Sequence, residues 1–326
     1  MHLLVTGGAG FIGSNFVKHS LQGIYPEIKK ITVIDNLGYA GVLNNIESHT
    51  QDKNFEFIEA DITHKKIVDR VIERVDGVLN FAAETHVDRS IVDSSNFIHS
   101  NISGVQVLLD SINEINPEVR FVQVSTDEVY GSLVQGSWTE ISPILPNSPY
   151  SASKAGGELI ARSYNRTHAL DVVTTRCSNN YGPNQFPEKL IPLFITNLIQ
   201  GKKVPVYGTG MNVRDWLHVD DHCQAIYSVL MNGKSGETYN IGGGQELTNN
   251  EITSQILEAM GANESSIEYV EDRKGHDHRY SVDWTKIKRE LGYEPQVKFE
   301  DGLKQTIDWY RENEAWWKPL KNRMGL

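Results

Sequence analysis

Six apolar runs, "LLVTG", "KITVID", "FEFIEAD", "GVLNFAA", "RFVQVS" and "DVVTTRC", recur through residues 1–178 with helix-like segments between them. Each has the length of a strand, and their near-continuous apolar character is that of parallel strands buried on both faces. Strand and helix in alternation specify an α/β fold, a Rossmann-type doubly wound parallel sheet. Ligands of such sheets sit beyond the carboxyl ends of the strands. The residues that follow each run are therefore the ones to read for chemistry.

The remaining sequence bounds the architecture. A chain of 326 residues exceeds one ordinary domain of ~100 to 200 residues. Beyond residue 178 it turns to Pro- and Gly-rich stretches such as "NNYGPNQFPEKLIP" and "GKKVPVYGTG", the mark of irregular structure. We expect a nucleotide-binding domain over 1–178 and a smaller, mixed α/β substrate lobe over 179–326. The segment "VRDWLHVDDHCQAIYSVLM" should return the chain to the first domain around 212–242. A net charge of −11 argues against a nucleic-acid partner. No basic-then-apolar leader opens the chain and no apolar stretch suits a bilayer, so the cytoplasm is the expected compartment, with no membrane partner. Cys177 and Cys223, without CxxC spacing, predict neither a disulfide framework nor a metal site.

"VTGGAGFIGSNF" places Gly7, Gly10 and Gly13 between the first strand and the first helix, with Phe11 and Ile12 opening that helix. Missing side chains there let backbone N–H groups approach a pyrophosphate at the helix N-terminus. Asp35 ends the second strand 22 residues after Gly13, where a carboxylate can accept from an adenosine ribose. Asn36 and Leu37 follow it, not an arginine for a 2′-phosphate, so the cofactor predicted is NAD. Asp61, ending "EAD", is positioned to face the adenine. Ala82 and Ala83, after the fourth strand, offer small surfaces beside a cofactor. His86 in the same loop has a plain alternative as a local hydrogen-bonding residue.

"YSASK" sets Tyr150 and Lys154 four residues apart, on one face of a helix. A nearby ammonium and a cationic nicotinamide would favour the phenolate, making Tyr150 a base for an alcohol. "STDEVYG" adds Thr126 and two neighbouring acids, Asp127 and Glu128, directly after a buried-looking strand. Standing alone they would read as solvated loop residues. Beside a tyrosine–lysine pair they read as an acid and a base held in opposite protonation states by repulsion and burial, with Asp127 keeping the proton.

These motifs together resemble the extended short-chain dehydrogenase/reductase family over nearly the whole chain. "NFAAETHVDRSI", "STDEVYG", "RCSNNYGP", "PEKLIP", "NVRDWLHVDDHCQAI" and "RKGHDHRY" are similar to its nucleotide-sugar 4,6-dehydratases, which act on dTDP-glucose. The resemblance implies a hydro-lyase that oxidises C4, eliminates water across C5 and C6, and reduces C6. It assigns Thr126 to the sugar 4-oxygen, Tyr150 to its proton, Glu128 to the C5 proton and Asp127 to the departing 6-hydroxyl. It implies NAD held tightly and recycled each turnover, with Asn36, Ile62, Thr85, Asn101, Ser125, Cys177 and Asn179 among its contacts. For the nucleotide sugar it implies Thr85, His86, Asn180, Arg214, Asn249 and Arg273, with His276 close by, Lys189 and Leu190 through backbone or packing, and Tyr207 near the base. Thymine and uracil both stay open as the base. A 4-epimerase or decarboxylase would share Tyr150 and Lys154 but would not need the Asp127–Glu128 pair, and an NAD-binding regulator is the non-enzyme alternative. "GYAGV" departs from the family's usual "TYAGN" at Val42. The helices of "NISGVQVLLDSINEI" and of Tyr150 are expected to build a homodimer. The tryptophans of "WYRENEAWWKPL" are expected to pack within the chain.

Overall fold

The computed structural model describes residues 1–326 and is built around a seven-stranded sheet whose strand pairs all run parallel. Its strands are β1 (His2–Thr6), β2 (Lys30–Asp35), β3 (Phe55–Glu59), β4 (Gly77–Asn80), β5 (Arg120–Thr126), β6 (Val172–Cys177) and, after an excursion through other structure, β10 (Thr238–Ile241). The excursion contains β7 (Asn179–Tyr181), β8 (Val204–Tyr207) and β9 (Val213–His218). Strand order is β10-β6-β5-β4-β1-β2-β3, so the sheet reverses its direction of growth between β1 and β4 and opens a crevice there.

The sequence dictates how this sheet is sandwiched. In β1, Leu3 and Val5 point to one face and pack with Phe16, Val17, Ile226 and Val229 of helices Phe11–Leu21 and Val219–Asn232. Leu4 points to the other, against Val68, Val105, Leu108 and Ile112 of helices Lys65–Ile72 and Gly104–Ile115. Successive strand residues alternate faces, and apolar side chains on both leave no wet side.

The smaller body has two short sheets. In one, β9 lies between β7 and β11 (Glu246–Thr248); in the other, β8 pairs with β12 (Ile267–Val270). Its core gathers Phe194, Ile195, Val206, Trp216, Ile256, Ile307 and the fully buried Trp317. Trp317 Nε1 donates to the carbonyl of Tyr310 at 2.7 Å, and Trp316 Nε1 donates to Asn45 at 2.8 Å. The C-terminal tryptophans are thus consumed inside the chain. Val42 is enclosed with Phe186 and Leu320, which explains how an apolar residue is tolerated where a polar one is usual.

Candidate active site

Helix Phe11–Leu21 starts directly from the glycine loop, and its first N–H groups have no partner within the helix. Gly7 has φ +67°, and a Cβ there would lie 2.6 Å from the Ala82 nitrogen. Only glycine lets the β1 and β4 loops close on each other here. Asp35 Oδ2 accepts from Ala9 N at 3.0 Å and Oδ1 from Leu37 N at 2.9 Å, leaving each oxygen capacity for a further donor. Gly7, Gly10, Phe11, Ile12, Gly13, Asp35, Asn36, Asp61, Ile62, Ala82 and Ala83 line one continuous cavity. Ser125 Oγ and Ser178 Oγ, also in that lining, are buried without a protein partner. A glycine cradle, a ribose-binding carboxylate and waiting hydroxyls are a fit for a dinucleotide.

β5 delivers the reactive segment. Thr126 is its last residue, and its hydroxyl accepts from Glu128 N at 3.3 Å, turning the chain into the tight turn Asp127–Tyr130. Asp127 is 2% exposed, and its Oδ2 has no partner. Burial, then the charges of Glu128 and Asp215, push its carboxyl well above the ordinary aspartate range. Burial also raises Glu128, but the cations Arg214, Lys189 and Arg273 pull against it, and Ser151 Oγ donates to Glu128 at 3.2 Å. Both carboxyls are raised, Asp127 the more strongly, because the cations around Glu128 offset part of its burial.

Ser148 caps helix Pro149–His168 by accepting from Ser151 N, and Pro149 occupies its first turn. Tyr150 and Lys154 then emerge on the cavity side. Lys154 Nζ donates to the Val124 carbonyl at 2.7 Å, and burial lowers its pKa to about 8. The phenolate expected of Tyr150 rests on two positive charges, the Lys154 ammonium and a cationic nicotinamide. Burial, followed by the Glu128 carboxylate, holds its phenol well above 10, opposed by a hydrogen bond from Thr126. A cationic nicotinamide beside the ring would oppose that rise.

A second cavity adjoins the first and shares Thr85, Glu128, Asn179, Asn180, Gln185 and Lys189 with it. It collects His86, Leu190, Tyr207, Arg214, Asn249, Arg273 and His276. Arg214 is immobilised over the Tyr280 ring, 4.3 Å from its centroid, and donates to the carbonyls of Val213 and Asp277. Arg273 pairs with Asp88 at 3.1 Å and lies over the Tyr207 ring. His276 Nδ1 is 2.6 Å from Asp272, while Lys189 Nζ donates to the Thr85 carbonyl at 2.8 Å. Asn180 Oδ1 bonds His222 Nδ1 at 2.8 Å. The His86 ring caps its own short helix, accepting from Arg89 N through Nδ1, and burial holds it down to about 3. It is a neutral hydrogen-bonding residue.

Asn101 is the exception among the expected contacts, because it does not line either cavity. Its amide closes a reciprocal pair with the backbone of Glu84 at 2.9 and 3.0 Å and reaches Ser153 Oγ at 2.8 Å, bracing the β4 loop against the Tyr150 helix. Ser125, Cys177 and Asn179 do line the first cavity. Residues that motif reading passed over are Asp88, which orients Arg273, and Arg89, whose guanidinium stacks 3.3 Å over Tyr39. Both fall inside the quoted "HVDRS", but only folding supplies their partners.

The family described as GDP-mannose 4,6 dehydratase matches residues 4–306. A dTDP-glucose 4,6-dehydratase of Streptomyces niveus is 53% identical over 324 residues, covering 99% of this chain and 96% of that protein. A crystal structure of the Streptomyces venezuelae dTDP-glucose 4,6-dehydratase with NAD bound superposes with a TM-score of 0.97 at 55% identity, covering 98% of this chain and 100% of that one. A Thermotoga maritima UDP-glucose 4-epimerase also superposes, with a TM-score of 0.87 at 31% identity, covering 96% and 100%. The fold is therefore common to two chemistries, and the side chains must separate them.

Proposed function

The chain belongs to the GDP-mannose 4,6 dehydratase family and within it to the dTDP-glucose 4,6-dehydratases, and from that membership we propose which of its residues performs each step. The reaction is the NAD-dependent dehydration of dTDP-glucose to the 4-keto-6-deoxy sugar, a step consistent with deoxysugar biosynthesis. The carrying observation is the pair of adjacent acids lining the first cavity, one buried with a carboxyl oxygen left unpartnered and one facing three cations. An epimerase has no use for such a pair, because it eliminates nothing.

NAD, when bound, supplies the hydride acceptor for C4 and the hydride donor for C6. Tyr150 removes the proton of the 4-hydroxyl while Thr126 Oγ1 hydrogen-bonds the same oxygen. Lys154, fixed on the Val124 carbonyl, holds positive charge beside that step. A ketone at C4 acidifies C5–H, and Glu128 takes this proton. Asp127 gives its own proton to the 6-oxygen, which departs as water. Glu128 exchanges that proton with solvent and then protonates C5 as the hydride reaches C6. Tyr150 ends one proton up and Asp127 one down, and exchange with solvent restores both.

Gly7, Gly10, Gly13, Asp35 and Asp61 hold the dinucleotide, which stays bound between turnovers. Arg214 and Arg273 neutralise the diphosphate, with Lys189 and Asn180 at the sugar and Tyr207 at the base. We divide the chain into a cofactor lobe, 1–178 with a return around 212–242 in which helix Val219–Asn232 and β10 join the large sheet while β9 stays with the smaller body, and a substrate lobe mainly over 179–326. A cytoplasmic homodimer is our reading of its surroundings. It is supported by two unpaired cysteines and by exposed apolar side chains, Ile98, Ile115 and Leu159, on or beside the two helices named for the contact. No helix is long and apolar enough to cross a membrane.

The test is incubation with dTDP-glucose in deuterated water without added NAD. Loss of one water, with deuterium at C5 and a methyl at C6, is expected. Unchanged mass with inverted C4 would make the enzyme an epimerase, and turnover of UDP-glucose alone would move the base preference to uracil.

A further inference from the structure

Directly behind the acid–base turn lies a buried polar cluster that the reaction as described does not use. Arg176, Glu158 and Tyr130 are 4%, 3% and 1% exposed. Arg176 Nε donates to Glu158 Oε1 at 2.9 Å and its Nη2 donates to the same carboxylate. Its Nη1 donates to the Tyr130 hydroxyl at 2.6 Å. Tyr130 in turn donates to Asn240 Oδ1 at 2.8 Å, and Asn240 Nδ2 donates to the carbonyl of Trp138 at 2.9 Å.

The position of this cluster is what gives it a meaning. Tyr130 is the last residue of the turn Asp127–Tyr130 that carries both acids. Glu158 is four residues beyond Lys154, one turn along the same helix, so it shares a face with the tyrosine–lysine pair. Arg176 sits on β6 in register with Ser125, one residue before Cys177, the partner of Thr126. The two elements that carry the reaction, the turn and the helix, meet at one guanidinium held on β6.

A buried charge pair adds little to stability compared with apolar residues of the same volume, and Glu158 Oε2 is left without a partner. A planar, five-donor fork does suit one task well, which is to fix two acceptors at a set angle.

Building on the dehydratase reading, we propose that Arg176 and Tyr130 are positioning residues for elimination: they fix the Asp127–Glu128 turn relative to the Tyr150–Lys154 helix. Oxidation at C4 needs the helix, the cofactor and Thr126, which β5 itself holds in register with Cys177. Elimination needs the helix and the turn in mutual register, with C5–H presented to Glu128 and the 6-hydroxyl to Asp127 while C4 stays on Tyr150. Loosening the turn should therefore slow the second step and spare the first.

Tyr130→Phe removes one hydroxyl and keeps the ring stacked on Trp138, 5.9 Å between centroids. Arg176→Lys keeps a cation opposite Glu158 but has no fork to hold Tyr130. In single-turnover experiments with dTDP-glucose, the near-ultraviolet absorbance of reduced nicotinamide reports C4 oxidation, and the loss of one water from the sugar, followed by rapid-quench mass spectrometry, reports elimination. The expected result for both variants is unchanged appearance of reduced cofactor and elimination slowed by on the order of ten- to a hundredfold, the range for a misplaced catalytic group. Reduced cofactor should then accumulate. Equal slowing of both steps, or a lower melting temperature with both rates intact, would overturn the proposal and leave the cluster a folding element. The unmodified enzyme's turnover in the same assay tests the dehydratase reading separately, because the proposal is read only from the ratio of the two steps.

Discussion

At the residue scale, the division of labour between Asp127 and Glu128 is set by their neighbours and not by their type. Asp127→Asn should slow dehydration more than hydride transfer, because an amide cannot give up a proton to the departing oxygen. Single-turnover absorbance showing slow cofactor reduction with ordinary elimination would reverse the assignment. The same residue carries a stability signature. Its folded pKa is raised above the unfolded value of ~3.9, so its native-state contribution is whole below that value and is lost as pH climbs through the folded pKa. Asp127→Asn removes the loss, and at neutral pH it should raise the melting temperature by ~2 °C or more, with the gain vanishing near pH ~4. Calorimetry giving an equal or lower midpoint at neutral pH would mean that the carboxyl is not held in its neutral form. The motif around Asp127 was legible in the sequence. The expectation that Asp127 keeps the proton was legible too; its neighbours Arg214, Asp215 and Arg273, which lie far along the chain, were not.

At the element scale, the glycine loop is a contact between two strand ends. Gly7→Ala would press a methyl against the Ala82 backbone and demand φ +67° of an alanine, a strain of about 1–2 kcal/mol before any clash. The purified variant should carry little or no NAD, as measured by absorbance after denaturation, and retention of a full complement would remove the loop from the cofactor's path. The strands were readable because each buried run is contiguous in sequence. Asn101, expected at the cofactor, spends its amide on the Glu84 backbone and Ser153 Oγ, partners that sequence order does not bring together. Val42 was an anomaly in "GYAGV" until Phe186 and Leu320 closed over it from two other parts of the chain.

At the scale of the whole molecule, the sheet contributes one wall of the cleft and the smaller body the other, and Lys189 reaching the Thr85 carbonyl ties them where the cavities join. The proposed dimer lies away from this cleft. Leu159→Glu, on the outer face of the Tyr150 helix where that leucine is 47% exposed, should halve the mass seen in light scattering; an unchanged dimer would move the contact to another face. By itself the sequence determined the α/β class, the NAD-type loop, the tyrosine–lysine spacing and the candidate acids, because periodicity, turn chemistry and i,i+4 geometry are local properties. Tertiary structure alone decided which charges surround each acid, what pins Arg214 and Arg273, and that Arg176 joins the catalytic turn to the catalytic helix. Desolvation and charge pairing are summed over neighbours in space, and those neighbours come from segments that the order of residues does not bring together.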